Sequence, residues 1–401
     1  MLKKGKLSTS FVSNRLTIGL SSISRAVSSV AIGAVLIAST TYAQASEFTI
    51  AFGSCAYDSE PQPIWTDIAA MNPDLFLFIG DNQYADVQFD EQGKAIRGPV
   101  TDPARFKEAY DAVAAKPEFA AFRASTPIMG TWDDHDYGAN DAGKEFPLKA
   151  ESQEAFLDFF GFAKDDPIRQ QAGIYHSKII EDDGRKVQVI MLDTRYHRDE
   201  LKKVDGPRPQ GFGSYLPSND TSKSLLGAEQ WTWLSEQLLV PADVRIIVSS
   251  IQVVAYEHRW ESWGNLPHER DRLYALIEKS KANNVFFLSG DRHLMEISRD
   301  TGQKGSKVPY PIWDFTSSGM TQKYSEVNEA NTFRVSEVVR DTHYGIVEID
   351  WEDDLKQSKV TFTAYGLGNR VFDSASFKLA ELTLDAPSTD SAGLSSERGS
   401  L

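Results

Sequence analysis

Four apolar stretches of this chain stop at side chains that can bind a metal ion, and this pattern limits the fold more than any other feature. The last of them, Val285–Leu288, is followed by Ser289-Gly290-Asp291-Arg292-His293. A buried strand over the apolar residues would deliver Asp291 and His293 to its carboxyl end. Three other stretches have the same plan: Phe48–Cys55, Leu75–Tyr84 and Pro127–Asp136. We predict that the four strand ends converge on one metal site.

Strands and helices alternate through the first 290 residues, and strands dominate afterwards. This order favours a layered α/β architecture with the site at the carboxyl ends of strands. The predicted helices cover Pro61–Met71, Pro103–Ala124 in two pieces divided at Pro117, Pro147–Phe160, Leu225–Leu239 and Leu273–Ile277. The predicted strands cover Phe48–Phe52, Leu75–Ile79, Pro127–Met129, Ile174–Ile180, Val187–Leu192, Val244–Val254, Val285–Leu288, Tyr310–Phe315, Tyr344–Ile349, Lys359–Ala364 and Phe377–Leu384.

The charge of the chain argues against some classes of partner. The 401 residues carry a formal net charge of −15, and residues 1–45 contain five basic residues and no acid, which leaves −20 on the remainder. Such a chain lacks the basic surface that nucleic acid or an anionic membrane would require. It also repels anionic substrates at long range, so such a substrate needs local positive charge, which a bound metal would supply.

The two ends of the chain differ in composition from the middle. Residues 1–45 read as a cleaved signal peptide: a basic start, an apolar stretch over Ala26–Ala38, and the small-residue pattern Ala43-Gln44-Ala45. A membrane anchor is the alternative, but the apolar stretch is shorter than the roughly 20 residues that a span needs. We therefore expect a periplasmic or secreted protein, exported by the general secretory route because no Arg-Arg pair is present, with no transmembrane span after cleavage near Ala45. Residues 46–385 would form one catalytic domain, and the Ser-rich residues 386–401 a disordered tail.

Cys55, Asp81, Tyr84 and His293 suit an oxidised transition metal. Cys55 is the only cysteine, so no disulfide within the chain is possible, and the thiol is either a metal ligand or an inert part of the core. A thiolate and a phenolate together suit Fe³⁺ better than Mg²⁺ or Ca²⁺. The carboxylate of Asp81 can bridge two cations, and His293 would complete the pocket.

A second, harder cation would use Asp134 and Asp291, since Ca²⁺, Mg²⁺ and Mn²⁺ prefer carboxylate oxygens. Two ions about 4 Å apart can hold a hydroxide that attacks phosphorus and can clamp both oxygens of an in-line displacement. Asn140 and Asp133 are further candidate ligands, and Asp133 is as readily a surface or supporting residue.

His135 and Arg195 are the candidate catalytic residues. His135 adjoins Asp134 and would assist the leaving oxygen as an acid or positive partner, unless it is a plain loop histidine. Arg195 would grip a phosphoryl oxygen, or it forms a structural ion pair with Asp193. Trp260 and Trp263 belong either to the core or to a rim that receives the organic part of a substrate.

The combined motifs resemble those of the alkaline phosphatase D-like metallophosphoesterases and occur in the order found in that family. They span roughly residues 48–320 and comprise Gly53-Ser54-Cys55, Gly80-Asp81-Asn82-Gln83-Tyr84, Trp132-Asp133-Asp134-His135-Asp136, Leu192-Asp193-Thr194-Arg195 and Ser289-Gly290-Asp291-Arg292-His293. The resemblance implies a four-layer αββα sandwich of the calcineurin-like type. It also implies an iron-plus-calcium centre, with Cys55, Asp81, Tyr84 and His293 on the iron side and Asp81, Asp134 and Asp291 on the calcium side. The implied activity is hydrolysis of phosphomonoesters or phosphodiesters by an exported enzyme linked to phosphate supply.

Two features depart from the family pattern. Family members often carry a twin-arginine export signal, which residues 1–45 lack, so the route of metal loading stays open. The segment after His135 reads Asp136-Tyr137-Gly138-Ala139-Asn140-Asp141 instead of the Glu-containing form of better-known bacterial members. This leaves open the role of Asn140 and the preference between substrates.

Two other functions compete with a metallophosphoesterase acting on a small-molecule or lipid-derived phosphate ester as a monomer. A serine hydrolase would use Ser54 or Ser318, but no Gly-x-Ser-x-Gly motif occurs in the chain. A non-catalytic exported protein that binds metal or phosphate would keep the scaffold without turnover. The sequence does not separate monoesterase from diesterase action.

Overall fold

The computed structural model describes residues 47–322 and 330–384. The predicted signal peptide and the predicted tail from residue 386 lie outside these residues. The strands are β1 Glu47–Gly53, β2 Leu75–Ile79, β3 Val87–Phe89, β4 Ala95–Arg97, β5 Ile128–Thr131, β6 His176–Asp182, β7 Arg185–Met191, β8 Val244–Ser249, β9 Val285–Ser289, β10 Met295–Asp300, β11 Ile312–Ser317, β12 His343–Asp350, β13 Lys359–Gly366 and β14 Val371–Lys378. The helices are α1 Ile64–Ala70, α2 Ala104–Ala114, α3 Pro117–Ser125, α4 Asp134–Tyr137, α5 Lys149–Phe159, α6 Gly227–Gln237 and α7 Pro267–Ser280.

Most strands belong to two six-stranded mixed sheets. The first has the order β14-β13-β12-β1-β2-β5, in which β1, β2 and β5 are parallel and β12 to β14 form an antiparallel meander. The second has the order β10-β11-β9-β8-β7-β6, in which β11, β9, β8 and β7 are parallel. The short strands β3 and β4 form a separate hairpin.

The two large sheets face each other across an apolar core. Phe315 of the second sheet stacks on Phe362 of the first, with ring centroids 4.6 Å apart. On the outer side of the first sheet, Trp65 of α1 packs against Phe76 of β2. On the outer side of the second, Gln188 of β7 donates a hydrogen bond to a carbonyl at the end of α6. The predicted α/β class is therefore confirmed, with helices packed on two large sheets.

Some predicted elements were misplaced. The strand predicted over Phe377–Leu384 is wrong, because β14 ends at Lys378 and Leu379–Leu382 form a 3-10 turn. The strand predicted to reach Val254 ends at Ser249, since the amides of Val253 and Val254 donate to the Asp314 side chain instead of to a neighbouring strand. Helix α7 is longer than predicted, and β3, β4 and β10 were not predicted. No helix within the described residues is long and apolar enough to cross a lipid bilayer.

Candidate metal centre

The carboxyl ends of β1, β2, β5 and β9 meet between the two sheets. Two glycines permit this close approach. A Cβ on Gly290 would lie 2.6 Å from Ser54 Oγ and 2.9 Å from the carbonyl oxygen of Ile79. A Cβ on Gly80, whose φ is +109°, would lie 2.7 Å from the Cβ of Asp133. Each glycine precedes an aspartate of the predicted site, so the absence of a side chain lets the next residue reach the same point.

The predicted thiolate, bridging carboxylate, phenol and imidazole come together there. Cys55 Sγ lies 3.5 Å from Asp81 Oδ2, and the Tyr84 hydroxyl donates to the same oxygen at 3.1 Å. The ligand atoms of Cys55, Asp81 and His293 all lie within 4.8 Å of one another. Residues 55 and 293 are far apart in the sequence, so the fold itself brings these groups together.

Four residues of the predicted site adopt a left-handed backbone conformation, which residues other than glycine rarely take. The φ angles are 58° at Cys55, 48° at Asp81, 70° at Asp291 and 52° at His293. Such strain costs about 1 kcal/mol or more per residue and tends to cluster at functional sites. The concentration of strained residues at converging strand ends supports a functional role for the site.

Asp134 and His135 lie at the start of α4, next to Asp81. Ligand atoms of these three residues lie within 4.8 Å of one another, and Asp134 also lies in a second such group with Asp141 and Glu261. Burial disfavours the Asp134 carboxylate, but the charges of His135 and Arg195 and the amide of Asp141 outweigh it and lower its pKa to about 2. Asp134 is therefore a buried anion ready for a cation.

Asp291 follows β9, and the negative charges of other buried acids act on its carboxyl group. Burial raises its pKa well above the usual range, Arg292 opposes the rise, and Asp133 and Asp134 add to it. Among the described residues, however, Asp291 does not share a compact three-residue group with other ligands.

The imidazole of His135 is held by a residue that was not predicted from the sequence, Asp86. Both carboxylate oxygens of Asp86 lie 2.9 Å from His135 Nδ1, and the ring stacks on Tyr84 with centroids 4.2 Å apart. Burial lowers the pKa of His135, but Asp134, Asp81 and Asp86 outweigh it and raise it well above the usual value. Nδ1 is engaged, so Nε2 is the nitrogen left for a ligand.

Arg195 lies in an ion-pair network and not on an open surface. Its side chain is fully buried, with Nε and Nη2 on Asp133 Oδ1 and Nη1 2.6 Å from Glu261 Oε2. This placement does not support the predicted grip on a phosphoryl oxygen. It agrees with a structural ion pair, but the partners of Arg195 are Asp133 and Glu261 and not the predicted Asp193. The Asp193 side chain instead accepts hydrogen bonds from Trp132 Nε1 and from backbone amides.

The structure also places the residues whose roles the sequence left open. Asp133 is buried, and its Oδ1 already accepts from Arg195 and from Ser250 Oγ. Asn140 is exposed, and its neighbour Asp141 is the residue that reaches Asp134, through a backbone hydrogen bond of 2.7 Å. Trp263 is fully buried in the core, while Trp260 is partly exposed beneath the guanidinium groups of Arg208 and Arg292.

The donor set fits bound cations. Burial raises the pKa of Asp81 well above its usual range. The charge of His135 opposes this rise, and the other buried acids add to it: Asp134, Asp133 and Asp136. Burial and the nearby Arg292 and His135 lower the pKa of His293 to about 3, which keeps the imidazole neutral, as a metal ligand must be. Several buried acids with too few cations form an unfavourable cluster, and metal ions would relieve it.

Comparison with known proteins agrees with this arrangement. The sequence profile of the family described as "PhoD-like phosphatase" matches residues 50–359, most of the chain. The chain belongs to the PhoD-like phosphatase family.

Two relatives of this family are similar over long stretches. The chain is 25% identical over 279 residues to alkaline phosphatase D of Bacillus subtilis strain 168, covering 63% of this chain and 46% of the relative. It thus spans about half the length of that protein. The solved structure titled "Structure of PhoD" superposes with a TM-score of 0.67 at 19% identity, over 88% of this chain and 73% of the other. That likeness supports the same fold for both PhoD-like chains.

Three acidic residues of the site in this PhoD-like chain were not predicted from the sequence: Asp86, Asp141 and Glu261. Asp86 follows Tyr84 by two residues, so its proximity to a predicted ligand was an available signal. Asp141 was overlooked beside Asn140. Glu261 is distant in sequence from every motif, and only the fold brings it to Asp134.

Proposed function

We propose that this protein is an exported, metal-dependent phosphoesterase. The observation that carries the proposal is the meeting of Cys55, Asp81 and His293 within 4.8 Å at the ends of strands from two sheets. A thiol, carboxylates, a phenol and imidazoles in one buried cluster are hard to explain as ordinary packing. Membership of the PhoD-like phosphatase family supports phosphate esters as the substrates.

Cys55, Asp81, Tyr84 and His293 would hold Fe³⁺, and Asp81, Asp134 and Asp291 would hold Ca²⁺, with Mg²⁺ or Mn²⁺ as substitutes. Bound cations would supply the charge that activates water and offsets the negative phosphoryl group.

The contribution of this chain's own groups centres on His135. Asp86 fixes its ring and holds the proton on Nδ1, and the raised pKa favours the protonated ring. A histidine in that state can donate a proton to the leaving oxygen at neutral pH. Asp134 stays ionised beside it because its pKa is lowered to about 2.

We further propose a monomer in the periplasm or outside the cell that acts on a small-molecule or lipid-derived phosphate ester. The name of the Bacillus subtilis relative, alkaline phosphatase D, supports action on phosphate esters. A non-catalytic protein that binds metal or phosphate is the alternative, and turnover distinguishes the two.

The test is turnover of an aryl phosphomonoester and an aryl phosphodiester by the purified protein, before and after exhaustive chelation. We expect hydrolysis of at least one ester, loss on chelation and recovery when iron and calcium are returned. Activity that survives chelation but is abolished by a serine-directed phosphonate would overturn the proposal. Full metal loading without turnover of any ester would favour the non-catalytic alternative.

A further inference from the structure

A phosphate ester approaching this protein meets a chain with a net charge of −15. The arginine predicted to hold it, Arg195, is buried between two carboxylates. Arg292, next to the candidate ligands, is 2% exposed. An anionic substrate would gain from an exposed cation at the mouth of the site, because local positive charge both steers and binds it.

The β3–β4 hairpin forms one wall beside the candidate metal centre. Val87 of β3 is 2% exposed and packs with Tyr57 and Tyr84 in a small apolar cluster. The rings of Tyr57 and Tyr84 lie 4.6 Å apart, and the amide of Val87 donates to the carbonyl of Tyr84 at 3.0 Å. The base of the hairpin is therefore fixed to a candidate iron ligand.

The register of the hairpin determines which side chain of β4 faces the same way. Val87 pairs directly with Arg97, and directly opposed residues of an antiparallel pair lie on one face. Since Val87 packs on Tyr84, Arg97 lies on the face that is turned towards the site. The amide of Gly98, the next residue, donates to the carbonyl of Asp86 at 3.0 Å, which fixes the end of β4.

Arg97 is exposed, and its guanidinium makes no ion pair with any residue that the structure describes. Its position opposite Val87, which packs on Tyr84, places this charge beside the candidate metal centre. Arg97 is thus a cation at the mouth of the site whose five donor hydrogens are available to a ligand.

We propose that Arg97 binds the phosphate group of the substrate and makes the enzyme prefer phosphomonoesters over phosphodiesters. This inference rests on the proposed phosphoesterase function. A monoester carries close to two negative charges at neutral pH and has three terminal oxygens. A diester carries one charge and has two. A guanidinium at the mouth therefore binds the monoester more strongly, because the second charge and the third terminal oxygen strengthen the charge-assisted contact.

The experiment compares kcat/KM for an aryl phosphomonoester and the corresponding diester in metal-loaded wild-type protein and in Arg97→Gln, Arg97→Lys and Lys94→Gln. Lys94 lies exposed in the turn of the same hairpin, so its replacement removes the same charge away from the site face. Binding of inorganic phosphate, measured by calorimetry, gives a second readout that does not depend on turnover.

In Arg97→Gln we expect kcat/KM for the monoester to fall on the order of tenfold, which is typical of losing one charge-assisted contact, and phosphate to bind correspondingly more weakly. In the same variant, kcat/KM for the diester should change by less than about twofold. Arg97→Lys should recover part of the kcat/KM lost for the monoester, and Lys94→Gln should have the kcat/KM of the wild-type protein.

Equal effects on both esters, no effect on either, or the same loss in Lys94→Gln would overturn the proposal. If the wild-type protein cleaves neither ester, the proposed function fails. The role of Arg97 is then decided by phosphate binding alone, and unchanged affinity in Arg97→Gln would reject it.

Discussion

Replacing Arg195 with Met separates a structural role from a catalytic one. In the structure, three nitrogens of the buried guanidinium are paired with Asp133 and Glu261. Glu261 keeps a second cationic partner, Arg198 Nη2 at 2.9 Å, whereas Asp133 Oδ1 keeps the neutral hydroxyl of Ser250. Removing Arg195 therefore leaves a poorly compensated buried carboxylate, and the loss of one partner from a buried pair costs about 3–5 kcal/mol.

The assay is urea unfolding of the metal-loaded protein, together with kcat/KM under conditions where the variant is folded. We expect the free energy of unfolding to fall by about 3–5 kcal/mol, and Asp133→Asn to cost less in the Arg195→Met background than in wild type, because it removes the stranded charge. A variant of unchanged stability with a large loss of kcat/KM would show that Arg195 binds substrate after all, and would refute this reasoning.

Three further predictions concern pH, packing and the orientation of His135. Burial lowers the pKa of His343 to about 4, below the value of about 6.5 in the unfolded chain. Only the unfolded chain takes up this proton between those values, so the free energy of unfolding should fall by about 3 kcal/mol as pH drops from 6.5 towards 4. His343→Gln should flatten that part of the stability–pH curve, and an unchanged slope would contradict this. Gly290→Ala should destabilise the protein by about 1–3 kcal/mol, whereas Gly98→Ala, where a Cβ meets nothing within 4 Å, should not; equal unfolding midpoints would refute the packing argument. Asp86→Asn should lower kcat about 10- to 100-fold and shift the basic limb of the pH–rate profile to lower pH; an unshifted profile would show that Asp86 does not tune His135.

The sequence predicted the main strands because buried parallel strands are continuous apolar runs. Leu75–Ile79 is predicted and observed with the same bounds. Strand β10 was not predicted because four of the six residues of Met295–Asp300 are polar: Glu296, Ser298, Arg299 and Asp300. These polar groups are tolerated in a buried strand because the fold supplies partners, such as Arg334 for Glu296 at 2.5 Å.

The candidate site was predictable where its residues lie within four residues of a strand end. Cys55, Asp81 and His293 stand at such positions, and the topology of the sheets brings them together. The role of Arg195 was not predictable, because its partner Glu261 lies in a loop that no local pattern connects to the site. Asp86 was missed because its relation to His135 depends on how the segment after β2 turns back over α4.

The most direct test of the central claim is the metal content of the purified protein and of its Cys55→Ala variant, measured by elemental analysis alongside phosphoesterase activity. Tyr57→Phe is the matched control, because it changes a neighbouring aromatic residue without removing a proposed ligand. We predict iron in the wild-type protein and in Tyr57→Phe, and loss of iron and of most activity in Cys55→Ala. Retention of iron and full turnover in Cys55→Ala would contradict the account.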